Sequence, residues 1–438
     1  MTGTSRGRGS PTGLETNWVV CQNAISVYIA PMLATPEFVR AAAETARLQS
    51  LLPRWREVPL YRDSLARPDF ALADLPIFNK REVRAGFPQG FLHSGRTLAD
   101  LLAEQCIELE HTSGTSEDRL PVIFGRGWWE EQEERALRLN AFVARVLDDH
   151  PNARRATITS PACNGLTCPA VWMSPAQRTM GNAFFVNLAR IPFVLSETER
   201  RRMAEEIAAW APQFLDVDPV HGVWFALFCE RHGIRFPSLR FVICSYEFVS
   251  VVHRRILARV FGVPVYNLYG STETGHLLME NEAGEMKPSG DTAYLEVVDA
   301  DASGVGNLIV TTLSNDYLPL LRYRIGDLTG RSEQLAGTDY VVHGRARDVL
   351  LAGRGQRVTT WQVDQCLAGV DGVAHYQLRQ NSKGEGHLRY VPESDRPDPT
   401  TLRELVVRLE SLLANPVTAE AVPTLLPEAS GKFRLTCQ

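Results

Sequence analysis

Between Pro36 and Arg54 the apolar residues Phe38, Ala41, Ala42, Leu48 and Leu52 recur on one helical face, with Thr45 the only polar member of the stripe. That spacing predicts an amphipathic helix ending near Pro53, whose ring cannot continue the hydrogen-bond ladder. Farther along, Thr157 to Ser160, Phe241 to Cys244 and Val265 to Leu268 are short apolar or β-branched runs of strand length. Helical stretches such as Glu197 to Trp210 and Val251 to Phe261 separate them, and this alternation predicts an α/β body with largely parallel strands. After Gly284 the texture changes. Ala293 to Val298, Gly306 to Leu313 and Tyr317 to Ile325 read as strands joined by Gly, Asp and Asn turns, a β-rich subdomain on that body. A last unit starts near His343, with a strand at Val349 to Ala352, a helix around Thr360 to Leu367, a strand near Tyr376 to Arg379 and a helix from Thr400 to Leu413. This α+β pattern predicts a small lid domain hinged at Gly344 to Arg347. The expected division is a large body over 13–342 and a mobile C-terminal domain over 343–438, after a leader from Met1 to Thr12 with little to bury.

Composition changes the picture mainly by exclusion. The chain has 438 residues, long for one core, with 44% hydrophobic and 22% charged residues and a formal net charge of -5, so no global basic field invites nucleic acid. The nearest approach to a targeting or spanning segment, Val19 to Ala34, follows Glu15 and is interrupted by Gln22 and Asn23, which predicts no signal peptide and no membrane span. Eight cysteines lie scattered without a dense framework, which predicts reduced thiols and a cytoplasmic protein. Cys229, His232, Cys244 and His253 read either as zinc ligands or as buried thiols and ordinary histidines, and the second reading is preferred. Lysine occurs only at Lys80, Lys287, Lys383 and Lys432, so a lysine beside a chemical motif stands out.

Five segments carry candidate chemistry. His111-Thr-Ser-Gly-Thr-Ser116 sets hydroxyls around Gly114 ahead of the apolar run Leu120 to Phe124; it reads as a phosphate loop or as a Ser/Thr-rich turn. Tyr266-Asn-Leu-Tyr-Gly-Ser-Thr-Glu-Thr-Gly275 feeds an apolar strand into a turn whose Glu273 suits Mg²⁺ or is a solvated acid, while Tyr269 offers a ring and Thr272 a donor to phosphate. In Arg322-Tyr-Arg-Ile-Gly-Asp-Leu-Thr329, Asp327 could accept both hydroxyls of a ribose, or serve as a plain turn aspartate. In Gly344-Arg-Ala-Arg-Asp348, Arg345 could bind ribose or phosphate, or lie in an exposed linker. In Ser430-Gly-Lys-Phe-Arg434, Lys432 could bring a mobile ammonium to a cleft, or belong to a frayed terminus.

In this order and spacing the segments resemble the signature series of the adenylate-forming superfamily of acyl-CoA ligases, adenylation domains and luciferases. Val58-Pro-Leu-Tyr-Arg62, Asp74-Leu-Pro-Ile-Phe-Asn-Lys-Arg81, Pro237-Ser-Leu-Arg240 and Leu318-Pro-Leu-Leu-Arg-Tyr-Arg324 resemble its phenylacetate-CoA ligase and coenzyme F390 synthetase branch, over about Glu37 to Arg434. The resemblance implies a large N-terminal domain, a small rotating C-terminal one, use of ATP and Mg²⁺, and adenylation of a small carboxylic acid before transfer to CoA.

Carried onto this chain, the resemblance implies that Thr112, Ser113, Gly114, Thr115 and Ser116 form the phosphate loop, with Arg119 in place of the usual lysine. It implies that Ser245, Tyr246 and Glu247 border the adenine, that Asn267, Tyr269, Gly270, Ser271 and Thr272 bind nucleotide, and that Thr272 and Glu273 act in catalysis, Glu273 on the metal. Asp327 and Arg345 would hold ribose and Lys432 would be the adenylation lysine. Where relatives carry a Cys and His cluster this chain has His276, Met279 and Glu280, so no structural zinc is expected. The expected acyl pocket is Ser160, Cys163, Asn164 and Gly165 with Tyr246 and Tyr269, near Phe184 and Phe185, a mix that allows a flat ring and hence an aromatic acid, although these residues read equally as core. CoA is the expected acceptor; a carrier-protein thiol, an amine, and an inactive ligand-binding homologue are the alternatives, and a homodimer is a family expectation.

Overall fold

The computed structural model describes residues 36–66, 71–92, 95–112, 119–159, 173–186, 192–331, 339–393, 397–428 and 430–438, with the backbone alone at 36–45 and 354. The chain divides into two compact units, Met1–Arg56 and Glu57–Gln438. The unit expected from His343 onward lies within the second. In the first, the helix Pro36–Arg56 runs past Pro53 instead of stopping there. Pro53 falls in its last turn, where the missing N–H costs one bond and the ladder has little left to lose.

The second unit is built on one twelve-stranded sheet. Its parallel half runs Ala183–Phe185, Arg155–Ile158, Phe214–Val217, Phe241–Cys244 and Val265–Ser271, with Thr179–Met180 added antiparallel at the edge. Parallel sheets need cover on both faces. On one face Ala156, Leu215, Val242 and Val265 meet Ile207, Val223 and Ile256 of the helices Glu197–Trp210, Pro219–Arg231 and Val251–Phe261. On the other, Phe214, Phe241, Ile243 and Leu268 meet Leu137 and Val143 of the helices Trp128–Leu137 and Ala141–Asp149. Ser196, Asp218 and Ser250 cap the three helices of the first face by accepting backbone N–H bonds.

The hairpin of Val265–Ser271 with Gly275–Glu280 turns the sheet from parallel to antiparallel. It closes on Gly270, where a Cβ would sit 2.2 Å from the Gly275 carbonyl oxygen. Beyond it follow Met286–Pro288, Tyr340–Arg345, Tyr323–Arg331, Gly306–Thr312 and Ala293–Val298, so the β-rich region extends the same sheet. The strand expected at Tyr317 to Ile325 starts only at Tyr323. Leu318, Leu320 and Leu321 are buried, which explains the misleading apolar run, but the Asn315 side chain accepts from the N–H groups of Tyr317 and Leu318 and holds them in a turn.

The C-terminal residues form a four-stranded sheet ordered Val417–Ala421, Gly386–Pro392, Val373–Gln380, Thr436–Cys437, with helices Thr360–Cys366 and Pro399–Leu413. The strand expected at Val349 to Ala352 is reduced to Leu350–Leu351, paired with Arg357–Val358. Residues expected as the hinge begin inside the large sheet: Gly344 and Arg345 end the strand Tyr340–Arg345, and the turn Ala346–Asp348 follows. No helix among the described residues is long and apolar enough to cross a membrane.

Candidate active site

A cleft of about 1640 Å³ opens at the carboxyl ends of the parallel strands, where open α/β sheets bind ligands. Cys244 ends one strand, and the chain then turns sharply through Ser245, Tyr246 and Glu247. Tyr246 holds a left-handed φ of 72°, a conformation that costs energy in a residue with a Cβ. Its hydroxyl donates to Asp216 Oδ2 at 2.7 Å, and Ser245 Oγ donates to Asp216 Oδ1 at 2.6 Å. Glu247 Oε1 accepts the Phe433 N–H at 2.8 Å, and Lys432 Nζ donates to the Tyr246 carbonyl at 3.0 Å. The C-terminal lysine is therefore placed in the cleft by two bonds to one turn. Phe433 secures it from behind, its ring against Phe193 and His375 at centroid distances of 5.5 and 5.3 Å. Burial pushes the Glu247 carboxyl well above its ordinary range, and Asp218 adds to this while Lys432 opposes it.

The hairpin supplies the next wall, with Asn267, Tyr269, Gly270, Ser271, Thr272 and Glu273 all lining the cleft. The Asn267 N–H donates to Glu280 Oε2 at 2.8 Å, which ties the strand to its partner. Glu273 is buried, and its Oε1 accepts from the Tyr323 hydroxyl at 3.1 Å. Tyr269 donates to Asp327 Oδ2 at 2.5 Å. Burial, then Asp327, pushes the Tyr269 hydroxyl well above its ordinary value and keeps it a donor. Asp327 lies opposite Arg345 in the antiparallel register, which brings Arg345 Nε to 3.0 Å from Asp327 Oδ1. That contact is an ion pair by distance without hydrogen-bond geometry, so Oδ1 is buried with no hydrogen bond made. A carboxylate oxygen so placed is ready to accept from a bound hydroxyl.

Thr112 also lines the cleft. Its Oγ1 accepts from the Leu120 N–H at 2.9 Å and its N–H donates to the Leu120 carbonyl at 3.0 Å, closing the base of the hydroxyl-rich segment. Ser113, Gly114, Thr115 and Ser116 of that segment, and Ser160, Cys163, Asn164 and Gly165 of the expected acyl pocket, lie outside the described residues. Arg119 is exposed and does not line the cleft; its carbonyl accepts from Arg84 Nε at 3.1 Å. Phe185 lines the cleft, while Phe184 is buried core, stacked near Arg178 and Trp210.

Three cleft residues were not legible from the chain alone. Asp216, Arg155 and Glu133 come from two strands and a covering helix. The only linear signal was an aspartate inside the apolar strand Phe214–Val217, which gives no partner without the register. Among the described residues no group of three His, Cys, Asp or Glu is arranged for a metal. Cys229 and Cys244 are free and buried, His253 pairs with His375 at 3.0 Å, and His276 packs on Gln132. Glu280 is held by Arg254 at 2.6 Å. Among the described residues Glu273 is a buried cleft carboxylate of the kind that, singly or with a second, holds Mg²⁺ together with substrate phosphates.

No family model matches the chain. A phenylacetate-coenzyme A ligase of Thermus thermophilus is 28% identical over 234 residues, 48% of this chain and 51% of that protein, so the chain spans about half the length of this relative. A phenylacetate-coenzyme A ligase of Pseudomonas putida is 25% identical over 341 residues, 72% of each. A crystal structure of 2-hydroxyisobutyryl-CoA ligase in its postadenylation state, with an acyl-AMP, shares the fold at a TM-score of 0.63 and 18% identity, over 91% of this chain and 90% of that one. In the order of its motifs and in these relatives the chain is similar to the phenylacetate-CoA ligases of the adenylate-forming superfamily, and its sheet has the fold of 2-hydroxyisobutyryl-CoA ligase.

Proposed function

We propose that the chain is an ATP-dependent ligase that activates a small carboxylic acid as its acyl-adenylate and then passes the acyl group to the thiol of CoA. The observation that carries this reading is convergence. Tyr246, Tyr269, Glu273, Asp327, Arg345 and Lys432, from five separate segments, all line one cleft at the carboxyl ends of the strands.

The chemistry follows from what each group can do. Asp327, with a buried oxygen free of hydrogen bonds and Arg345 beside it, accepts the ribose hydroxyls. Tyr269, held by Asp327, and Tyr246 offer ring faces to base or acyl group, and Thr272 donates to phosphate. Glu273 would hold Mg²⁺, which offsets phosphate charge when bound. A carboxylate oxygen of the acid attacks the α-phosphorus; the bond to the bridging oxygen breaks and pyrophosphate leaves. Lys432 brings its ammonium to the two anions as they approach, the ionic stabilisation that lowers such a barrier most. In the second half-reaction a thiolate attacks the acyl carbon and AMP leaves. The residues from 343 onward are the lid that carries Lys432 in, and would withdraw it for thioester formation.

Acid-dependent exchange of labelled pyrophosphate into ATP tests the first half, and mass spectrometry of products with CoA tests the second. Exchange followed by an acyl-CoA is expected. Exchange without any acyl-CoA, from every acid that supports it, would move the acceptor to a carrier-protein thiol or an amine.

A further inference from the structure

We propose that the acid accepted by this cleft carries an amino group, and that Asp216 is the side chain that receives it. The inference rests on the adenylation reading and deepens it.

Position comes first. Asp216 is near the carboxyl end of Phe214–Val217, is 6% exposed, and lines the cleft. It is hydrogen-bonded to both Ser245 and Tyr246, and the Tyr246 carbonyl in turn accepts from Lys432 Nζ. One residue thus links Asp216 to the ammonium that would meet the reacting carboxylate, so both lie within the compass of a small molecule.

Charge comes second. Arg155, on the neighbouring strand, places one terminal nitrogen 2.8 Å from each oxygen of Glu133, which reaches over from the helix Trp128–Leu137. Two carboxylates, Glu133 and Asp216, therefore share one guanidinium, and that guanidinium is committed to the first. Burial pushes the Asp216 carboxyl above its ordinary value; Arg155 opposes this and Glu133 adds to it. A buried carboxylate short of a cation is stabilised by a ligand that brings one, and charge-assisted hydrogen bonds are the stronger kind.

Unused capacity comes third. An ionised carboxylate offers about four lone-pair sites, of which Ser245 and Tyr246 take two. Thr157 lies directly opposite Asp216 in the parallel register, so both side chains leave the same face of the sheet. Its hydroxyl is fully buried and makes no hydrogen bond. Thr157 does not line the cleft itself, but a cleft carboxylate with free lone pairs beside an unpaired hydroxyl matches a primary ammonium, which has three donors and no acceptor. A plain hydrocarbon ring would cover Asp216 and leave its remaining lone pairs without a donor, and a second carboxylate on the ligand would face Asp216 and Glu133.

The test pairs each acid bearing an alkyl ammonium with the acid in which methyl replaces the amino group. 4-(Aminomethyl)benzoate is set against 4-ethylbenzoate, and L-alanine, L-phenylalanine and β-alanine against isobutyrate, 2-methyl-3-phenylpropionate and butyrate. Pyrophosphate exchange is the readout. At least one amino member should exceed its methyl partner by about tenfold or more, because a site built to bond a polar group rejects the analogue lacking it. Asp216→Asn should reduce that ratio about tenfold, and Glu133→Gln, on a partly exposed helix position, should lower it as well. Should Asp216→Asn fail to fold, the wild-type ratio and Glu133→Gln decide the matter. Methyl members that match or exceed their amino partners would overturn the inference while leaving adenylation intact. Absence of exchange with every acid in both arms would overturn adenylation, and this inference with it.

Discussion

At the scale of the residue, Lys432 has the most specific assignment. Its ammonium donates to the Tyr246 carbonyl, and the Phe433 N–H beside it is held by Glu247. Lys432→Ala should slow adenylation on the order of 100-fold or more, the usual cost of deleting one preorganised charge. Capture of a supplied acyl-adenylate by CoA should change far less, and equal loss in both half-reactions would remove the lysine from the first. Glu273→Gln should raise the Mg²⁺ concentration needed for half-maximal exchange, since an amide is a poorer ligand for a hard cation. An unaltered Mg²⁺ titration would take Glu273 out of the metal shell. Lys432 could be singled out in the sequence because it sits on a glycine turn at the end of an ordered series of segments that resembles a known family, lysine scarcity adding only slightly. Asp216 could not be. Its significance lies in Ser245, Tyr246, Arg155 and Thr157, which share no linear motif with it and meet it only through sheet register.

At the scale of the element, the helix Val251–Phe261 is where the C-terminal sheet docks. Asp364, from the helix Thr360–Cys366, caps it by accepting from the Val251 N–H at 2.9 Å and the Ser250 hydroxyl at 2.5 Å. Arg255 and Arg259 of the same helix both reach Glu393, at 2.6 and 2.8 Å. Burial pushes the Asp364 carboxyl from 3.8 up to about 6, although the hydrogen bonds from Ser250, Val251 and Tyr376 pull it down. A carboxyl raised on folding stabilises the native state fully below its unfolded value, and that contribution is lost as pH rises through its folded value. The loss is on the order of a few kcal/mol. His253, lowered by burial to about 4, works in the opposite sense: its contribution is full above 6.5 and lost as pH falls through 4. The informative quantity is therefore wild type against Asp364→Asn. The stability of wild type relative to the variant should fall steadily from about pH 4 to pH 7; a constant difference would show that Asp364 does not titrate there. Elements with a strong period, such as Glu197–Trp210 and Val251–Phe261, were legible end to end. The strand Tyr323–Arg331 was not, because the buried leucines before it belong to a turn fixed by the Asn315 side chain, and burial alone does not distinguish a turn from a strand.

At the scale of the whole molecule, the parallel half of the sheet and the hairpin after it gather distant segments around one opening. The sequence pattern predicted strands alternating with helices and, after Gly284, a run of strands. It could not tell that the second group joins the first in one sheet, because that depends on Gly270 allowing the hairpin to close. Gly344, where the large sheet gives way to the C-terminal residues, has a φ of 95°, and a Cβ there would meet Thr360 at 2.8 Å. Gly344→Ala should lose on the order of 1–3 kcal/mol in a denaturant melt, and an unchanged midpoint would mean that the chain bends elsewhere. The proposed function has these segments converge for attack by a carboxylate oxygen on the α-phosphorus of ATP. An acid that supports exchange, labelled with ¹⁸O in its carboxylate, tests this most directly when turned over with CoA. The account predicts AMP carrying one ¹⁸O in its phosphate; ADP with the label in inorganic phosphate, or AMP without label, would contradict it.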